Sequence, residues 1–166
     1  MPRSFEIVAE SDASVAAIHA AFGREDYWLA RLAGDANTTL DSLTVDADGA
    51  VEVHLSQHLG RQVLPALAAN FVPGDLKLAY CETWRAVGDG HVRGESRLSA
   101  SGGLGSSRAQ NWLTPTGTAT RLRSAVEVKV KIPLVGGSLE KSIGAGLADN
   151  IPAVLRFTTT WIAENT

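Results

Sequence analysis

Apolar positions recur along this chain with two periods, and the switches between them mark out its elements. Phe5, Ile7 and Ala9 alternate with Ser4, Glu6 and Val8, a period of two that predicts a first strand. Val15, Ile18 and Phe22 then fall at helical spacing behind Ser11 or Asp12 as an N-cap, and Gly23 ends that helix. Tyr27, Trp28, Leu29 and Leu32 predict a second short helix from Glu25 to Leu32, stopped by Gly34. From about residue 37 the period returns to two. Asp48-Gly49 separates Leu43 and Val45 from Val51, Val53 and Leu55, a strong hairpin signal. Gly88-Asp89-Gly90 divides a strand near 76–87 from one near 91–100, and further reversals fall at Gly102 to Gly105 and at Pro115-Thr116-Gly117. In the last strand Leu122, Val126, Val128, Val130 and Ile132 alternate with charged residues, so one face is buried and the other wet.

After Pro133 the period changes to helical for the rest of the chain. Leu139, Ile143, Leu147, Ile151, Val154, Leu155, Thr158 and Ile162 form one stripe on a helix that opens at Gly136 and runs to about Glu164. Such a helix is about 40 Å long, enough to cross a whole sheet. Pro152 lies inside it and is expected to kink it, because proline cannot bond the carbonyl of Ala148. The order of elements predicts an α+β domain spanning residues 1–166. It has seven antiparallel strands, two short helices after the first, and a long C-terminal helix around which the twisted sheet curls.

Composition narrows the function classes. With 45% hydrophobic and 20% charged residues the chain is globular, and a net charge of −3 offers no electrostatic footprint for nucleic acid. Cys81 is the only cysteine, which excludes an internal disulfide and a cysteine-based metal site and suggests a reducing, cytoplasmic location. The N-terminus has no apolar signal core, and no apolar run approaches the roughly 18 residues of a membrane span, so stable membrane insertion is not expected.

Several segments carry a family resemblance: LP at 64–65, FVPG at 71–74, CETW at 81–84, KIPLVGGSLEK at 131–141 and RFTTTWIAE at 156–164. With the order of elements, they make the chain resemble the START-like (SRPBCC, helix-grip) superfamily of lipid- and hydrophobic-ligand-binding proteins. It is most similar to an uncharacterised, mainly actinobacterial family within that group. The resemblance implies a cavity between the sheet and the last helix. Functions across the superfamily range from carriers to cyclases, so it assigns no residue a catalytic role.

The residues themselves point to the same space. Leu76, Leu78, Tyr80, Glu82 and Trp84 share one strand face, which puts a carboxylate between a phenol and an indole on the apolar side. A buried carboxylate is costly unless paired or neutral, so Glu82 is the most informative position, although a bulge could turn it outward. Val92, Gly94, Ser96, Leu98 and Ala100 line the next strand, and Ala109, Asn111 and Leu113 the one after. These small residues facing a long helix leave room for a pocket of at least about 300 Å³, unless Tyr80, Trp84 and helix side chains fill it. Tyr80, Glu82, Trp84, Ser96, Asn111, Leu147, Ile151 and Leu155 are the candidate ligand-binding residues there, with Leu67 and Phe71 in a 60–74 segment that could form a lid.

No cofactor is expected. A metal is not expected either, because His54 and His58 lie roughly 13 Å apart on one strand. Serines show no nucleophile elbow. Gly102 to Gly105 do not open a helix; Gly136-Gly137 does, and helix entry geometry explains it as well as anion binding. The expected function is binding or carriage of a small apolar molecule, lipid-like or polycyclic, without catalysis. The alternatives are a cyclase, dehydratase or isomerase using Glu82 and Tyr80, and a protein-interaction module anchored on an outward Trp112.

Overall fold

The computed structural model describes residues 2–59 and 75–166. The predicted lid, with Leu67 and Phe71, lies outside the described residues. The chain runs β1 (Arg3–Ser11), α1 (Val15–Phe22), α2 (Glu25–Arg31), β2 (Thr38–Val45), β3 (Val51–Leu59), β4 (Leu76–Gly88), β5 (His91–Ala100), β6 (Gly105–Thr116), β7 (Ala119–Val130) and α3 (Gly136–Glu164). The seven strands form one antiparallel sheet in the order β1-β7-β6-β5-β4-β3-β2. Strands β2 to β7 therefore follow as neighbours, while β1 joins the far edge beside β7. The α+β architecture and the helix over the sheet agree with the expectation from patterning.

Two details of the helices differ from it. Ser11 does not cap α1; it stays in β1, paired with Thr120, and its hydroxyl meets Thr159 Oγ1 of α3 at 2.5 Å. Ser14 caps the helix instead, accepting the Ala17 amide at 3.1 Å. On α3, Ile143 faces solvent with 41% of its surface exposed, and the buried positions of that half are Gly136, Glu140 and Gly144. Pro152 lies inside this helix, which runs unbroken from Gly136 to Glu164.

The shift from Ile143 to Gly144 has a packing cause. A Cβ placed on Gly144 would lie 2.2 Å from the Phe5 ring, and one on Gly136 would lie 2.8 Å from the Val130 carbonyl oxygen. Here the helix backbone itself rests on β1 and β7, and no side chain fits between. Glu140 closes the same contact: its buried carboxylate accepts the Val130 amide at 2.8 Å, and Arg3 Nε stands 3.7 Å away while also donating to the Gly137 carbonyl. At the other end of the helix Leu155, Thr158 and Trp161 are buried. Thr158 Oγ1 meets the Tyr27 hydroxyl at 2.6 Å, and the Trp161 and Tyr27 rings pack edge to face at 5.3 Å. Phe22, Trp28 and Trp84 extend this aromatic cluster, and the Trp28 indole donates to the Phe22 carbonyl.

Glycine and alanine at two helix positions test the close approach. Helix propensity alone favours alanine by about 1 kcal/mol. Gly146→Ala, with open space around its Cβ, should gain stability in urea unfolding. Gly144→Ala should instead lose about 1–2 kcal/mol, because overpacking against Phe5 reverses the sign. Equal gains in both variants would show that the ring moves aside freely.

Candidate functional site

Between the sheet and the middle of α3 lies a cavity of about 280 Å³. That is slightly below the expected volume of at least about 300 Å³, and the Trp84 ring occupies the space that Gly94 leaves on β5. Larger concavities, of about 570 and 610 Å³, are solvent-facing grooves beside the β2–β3 hairpin and the start of α3. The cavity roof is aliphatic, built from Leu147, Ile151, Val154 and Leu155 of α3. Asn150, on the exposed side of the helix, completes this wall.

The floor is partly polar, and strand register explains how. On β4 the period of two turns Tyr80, Glu82 and Trp84 inward, and no bulge interrupts β4 between them. Glu82 is 3% exposed. Its neighbours two residues away on each side satisfy it: the Tyr80 hydroxyl donates to Oε2 at 2.5 Å and the Trp84 indole donates to Oε1 at 2.5 Å. The Trp84 ring lies flat over Gly94, where a Cβ would stand 2.6 Å from the indole, so glycine is required for that orientation. Glu82 pairs with Ser96 on β5, Gly94 pairs with Asn111 on β6, and Asn111 pairs with Ser124 on β7. Ser124 donates to Asn111 Oδ1 at 2.6 Å, and Asn111 Nδ2 donates to Ser96 Oγ at 3.1 Å. A polar row thus crosses the four central strands.

All eight candidate residues within the described chain line this cavity: Tyr80, Glu82 and Trp84 from β4, Ser96 and Asn111 from β5 and β6, and Leu147, Ile151 and Leu155 from α3. Five polar lining residues, Arg31, Ser107, Ser124, Asn150 and Thr158, were not among the candidates. Ser124 occupies the inward phase between Leu122 and Val126, a position the alternation of β7 already marks. Arg31 comes from the last turn of α2, and only the tertiary docking of that short helix brings it to the cavity.

Arg31 lies 4.5 Å from the Trp28 ring centroid, in a cation–π contact. Burial disfavours its charge, but Tyr27, Glu82 and Tyr80 more than compensate and hold its pKa above the ordinary value. No direct ion pair joins Arg31 to Glu82 among the described residues, so both charges border the space between them. Burial, reinforced by the negative charge of Glu82, pushes the Tyr80 phenol well above its ordinary range. Tyr80 is therefore a hydrogen-bond donor at neutral pH.

The opposite sheet face holds a second cluster. Glu52, His54 and Cys81 bring their side-chain donor atoms within 4.8 Å of one another. Spacing along one strand could not reveal it, because Cys81 enters as the cross-strand partner of His54. The expectation of no metal-ligating cluster is corrected to that extent. Trp112 does face outward, stacked by Arg123 at 4.2 Å and Arg93 at 5.7 Å.

Comparison with known proteins agrees with this architecture. Among solved structures, the protein TTHA0849 from Thermus thermophilus is 13% identical over 99% of each chain with a TM-score of 0.58. A START superfamily protein from Mycobacterium smegmatis is 13% identical over 98% of this chain and 99% of its own, with a TM-score of 0.55. Norcoclaurine synthase from Thalictrum flavum, solved with dopamine and hydroxybenzaldehyde, is 16% identical over 100% of this chain and 89% of its own, with a TM-score of 0.53. These likenesses establish a START-like, helix-grip fold. Uncharacterised proteins of Mycobacterium tuberculosis strain H37Rv and Mycobacterium bovis are 35% identical over 177 aligned positions, covering 99% of this chain and 99% of each relative. Residues 6–162 match the family described as Protein of unknown function (DUF2505), and the chain belongs to that family.

Proposed function

We propose that the protein binds a small, mainly apolar molecule with one hydrogen-bonding end in the cavity between the sheet and α3. The observation that carries this reading is the Glu82 carboxylate, buried and held by Tyr80 and Trp84 in a space roofed by aliphatic side chains. Burial of apolar ligand surface supplies affinity, at about 25 cal/mol per Å² removed from water. Lone pairs on Glu82, the Ser96–Asn111–Ser124 row and the Arg31 cation supply orientation. A cavity near the lower end of the usual 300–1,000 Å³ range suits a compact ligand. Among the described residues no helix is long and apolar enough to cross a membrane, which fits a ligand held inside the domain.

Native mass spectrometry of gently purified protein identifies any molecule that co-purifies, and calorimetry with that molecule then measures affinity. Ile151→Trp fills the cavity and should abolish binding while leaving the far-ultraviolet spectrum unchanged. Glu82→Gln keeps the shape and one acceptor oxygen, which can still take the Trp84 indole proton, so affinity should change by no more than about 1.5 kcal/mol, the scale of one hydrogen bond. Unaltered affinity in Ile151→Trp would remove the ligand from this cavity. If Glu82→Gln bound normally but turned over a bound substrate at least about a hundredfold more slowly, the site would be a proton-transfer centre.

The orienting role of Tyr80 requires an un-ionised phenol, and alkaline titration reads this directly because the chain has only two tyrosines. Desolvation raises Tyr27 as well as Tyr80 above the ordinary value. A folded-state pKa above the unfolded one leaves stability intact below about pH 10 and erodes it as pH rises further. Phenolate absorbance should therefore stay low in the native protein past pH 10 and appear together with unfolding. Two tyrosines titrating near pH 10 in folded protein would contradict the burial of both hydroxyls.

A further inference from the structure

We propose that Glu52, His54 and Cys81 on the outer face of the sheet form a binding site for a zinc-class divalent cation. The three side chains come from two adjacent strands, β3 and β4. His54 and Cys81 are direct register partners on β3 and β4, and Glu52 lies two residues before His54, on the same face. Ligands on paired strands are held more precisely than ligands on loops.

Two of the three distances between ligand atoms fit one face of a tetrahedron. A zinc ion about 2.3 Å from a thiolate and about 2.0–2.1 Å from an imidazole nitrogen or a carboxylate oxygen sets sulfur and nitrogen about 3.6 Å apart and nitrogen and oxygen about 3.3 Å apart. Here Cys81 Sγ lies 3.8 Å from His54 Nε2, and His54 Nε2 lies 3.1 Å from Glu52 Oε2. The third edge, from the Cys81 sulfur to the Glu52 carboxylate, lies within 4.8 Å against about 3.6 Å in such a site, so the exposed Glu52 side chain would swing in by up to about 1 Å on binding.

Hydrogen bonding supplies a separate argument. The same nitrogen, His54 Nε2, faces both the carboxylate and the sulfur. One N–H can serve only one of them, whereas a cation in its place would satisfy the lone pairs of all three atoms. Sulfur, imidazole and carboxylate together select a borderline-soft ion over magnesium or calcium, which take oxygen ligands. Three protein ligands leave a fourth position, and the exposed Glu52 places it toward water.

The test titrates reduced, full-length protein with zinc alone against a chromophoric chelator. One equivalent should bind, and His54→Ala, Cys81→Ser and Glu52→Gln should each weaken affinity at least about tenfold, the lower end of effects seen even for residues that only support metal ligands. His58→Ala, four residues along the strand and exposed, should leave it unchanged, and magnesium should not compete. Cobalt in place of zinc should show a thiolate-to-metal charge-transfer band that Cys81→Ser removes. Absence of stoichiometric binding, or zinc affinity indifferent to both His54→Ala and Cys81→Ser, overturns the proposal. A cobalt complex without the thiolate band does the same.

Discussion

The separation between α3 and the sheet is set at the two ends of the helix, and the cavity is what remains between them. Near its start the helix backbone lies directly on β1 and β7, since Gly136 and Gly144 offer no side chain to hold it off. Glu140 ties that end to the Val130 amide. Near its other end Thr158 and Trp161 lock onto Tyr27, and Thr159 onto Ser11. The helix packs chiefly on β1, β7 and α1, at one side of a curved sheet. Over β4, β5 and β6 it stands away, and side chains there must bridge the gap or leave it. With serine, alanine and asparagine on much of that floor, they leave part of it.

Such a gap could be lined wholly by aliphatic residues, and here it is not. A buried carboxylate loses the hydration it had in the unfolded chain, and the loss is tolerable only when donors replace the water. Tyr80 and Trp84 do this from the same strand face, which means the satisfaction of Glu82 depends on the local pleat and not on a distant loop. The donor on Trp84 is aimed by Gly94, whose missing side chain lets the indole lie across β5. Arg31 and the Ser96–Asn111–Ser124 row then surround a polar end of the cavity with fixed dipoles and one cation. Under the proposed binding, a preorganised polar end opposite an aliphatic roof would discriminate by where a ligand carries its hydrogen-bonding group.

How much of this was legible in the sequence depends on whether the signal was local. Strand alternation is local, so the inward direction of Tyr80, Glu82, Trp84, Ser96 and Asn111 followed from a period of two once the turns were found. Ser124 carries the same signal, masked because its polarity interrupts an apolar series. Arg31 was not legible, because nothing in EDYWLAR states where a two-turn helix docks. His54 and Cys81 were hidden for a related reason: they are 27 positions apart in the chain and meet only through the β3–β4 register. Ile143 misled because a helical stripe is drawn through apolar residues, whereas the closest contact of α3 runs through glycine, which hydropathy patterns do not register.

The polar row is also where local chemistry and packing disagree, and that disagreement is informative. Elsewhere the core follows simple rules: Val53, Leu113 and Ile18 are fully buried aliphatics, and the aromatic cluster around Phe22 and Tyr27 fills the end of the barrel-like curve. At Glu82, Asn111 and Ser124 the same inward phase carries groups that need partners to be buried at all. Well-packed apolar residues at such sites are often as stabilising as a satisfied polar network, so folding alone does not require this choice. A sequence that keeps the costlier residues in one contiguous patch, beside the stretch where the helix leaves the sheet uncovered, departs from local consistency in the place expected of a binding site.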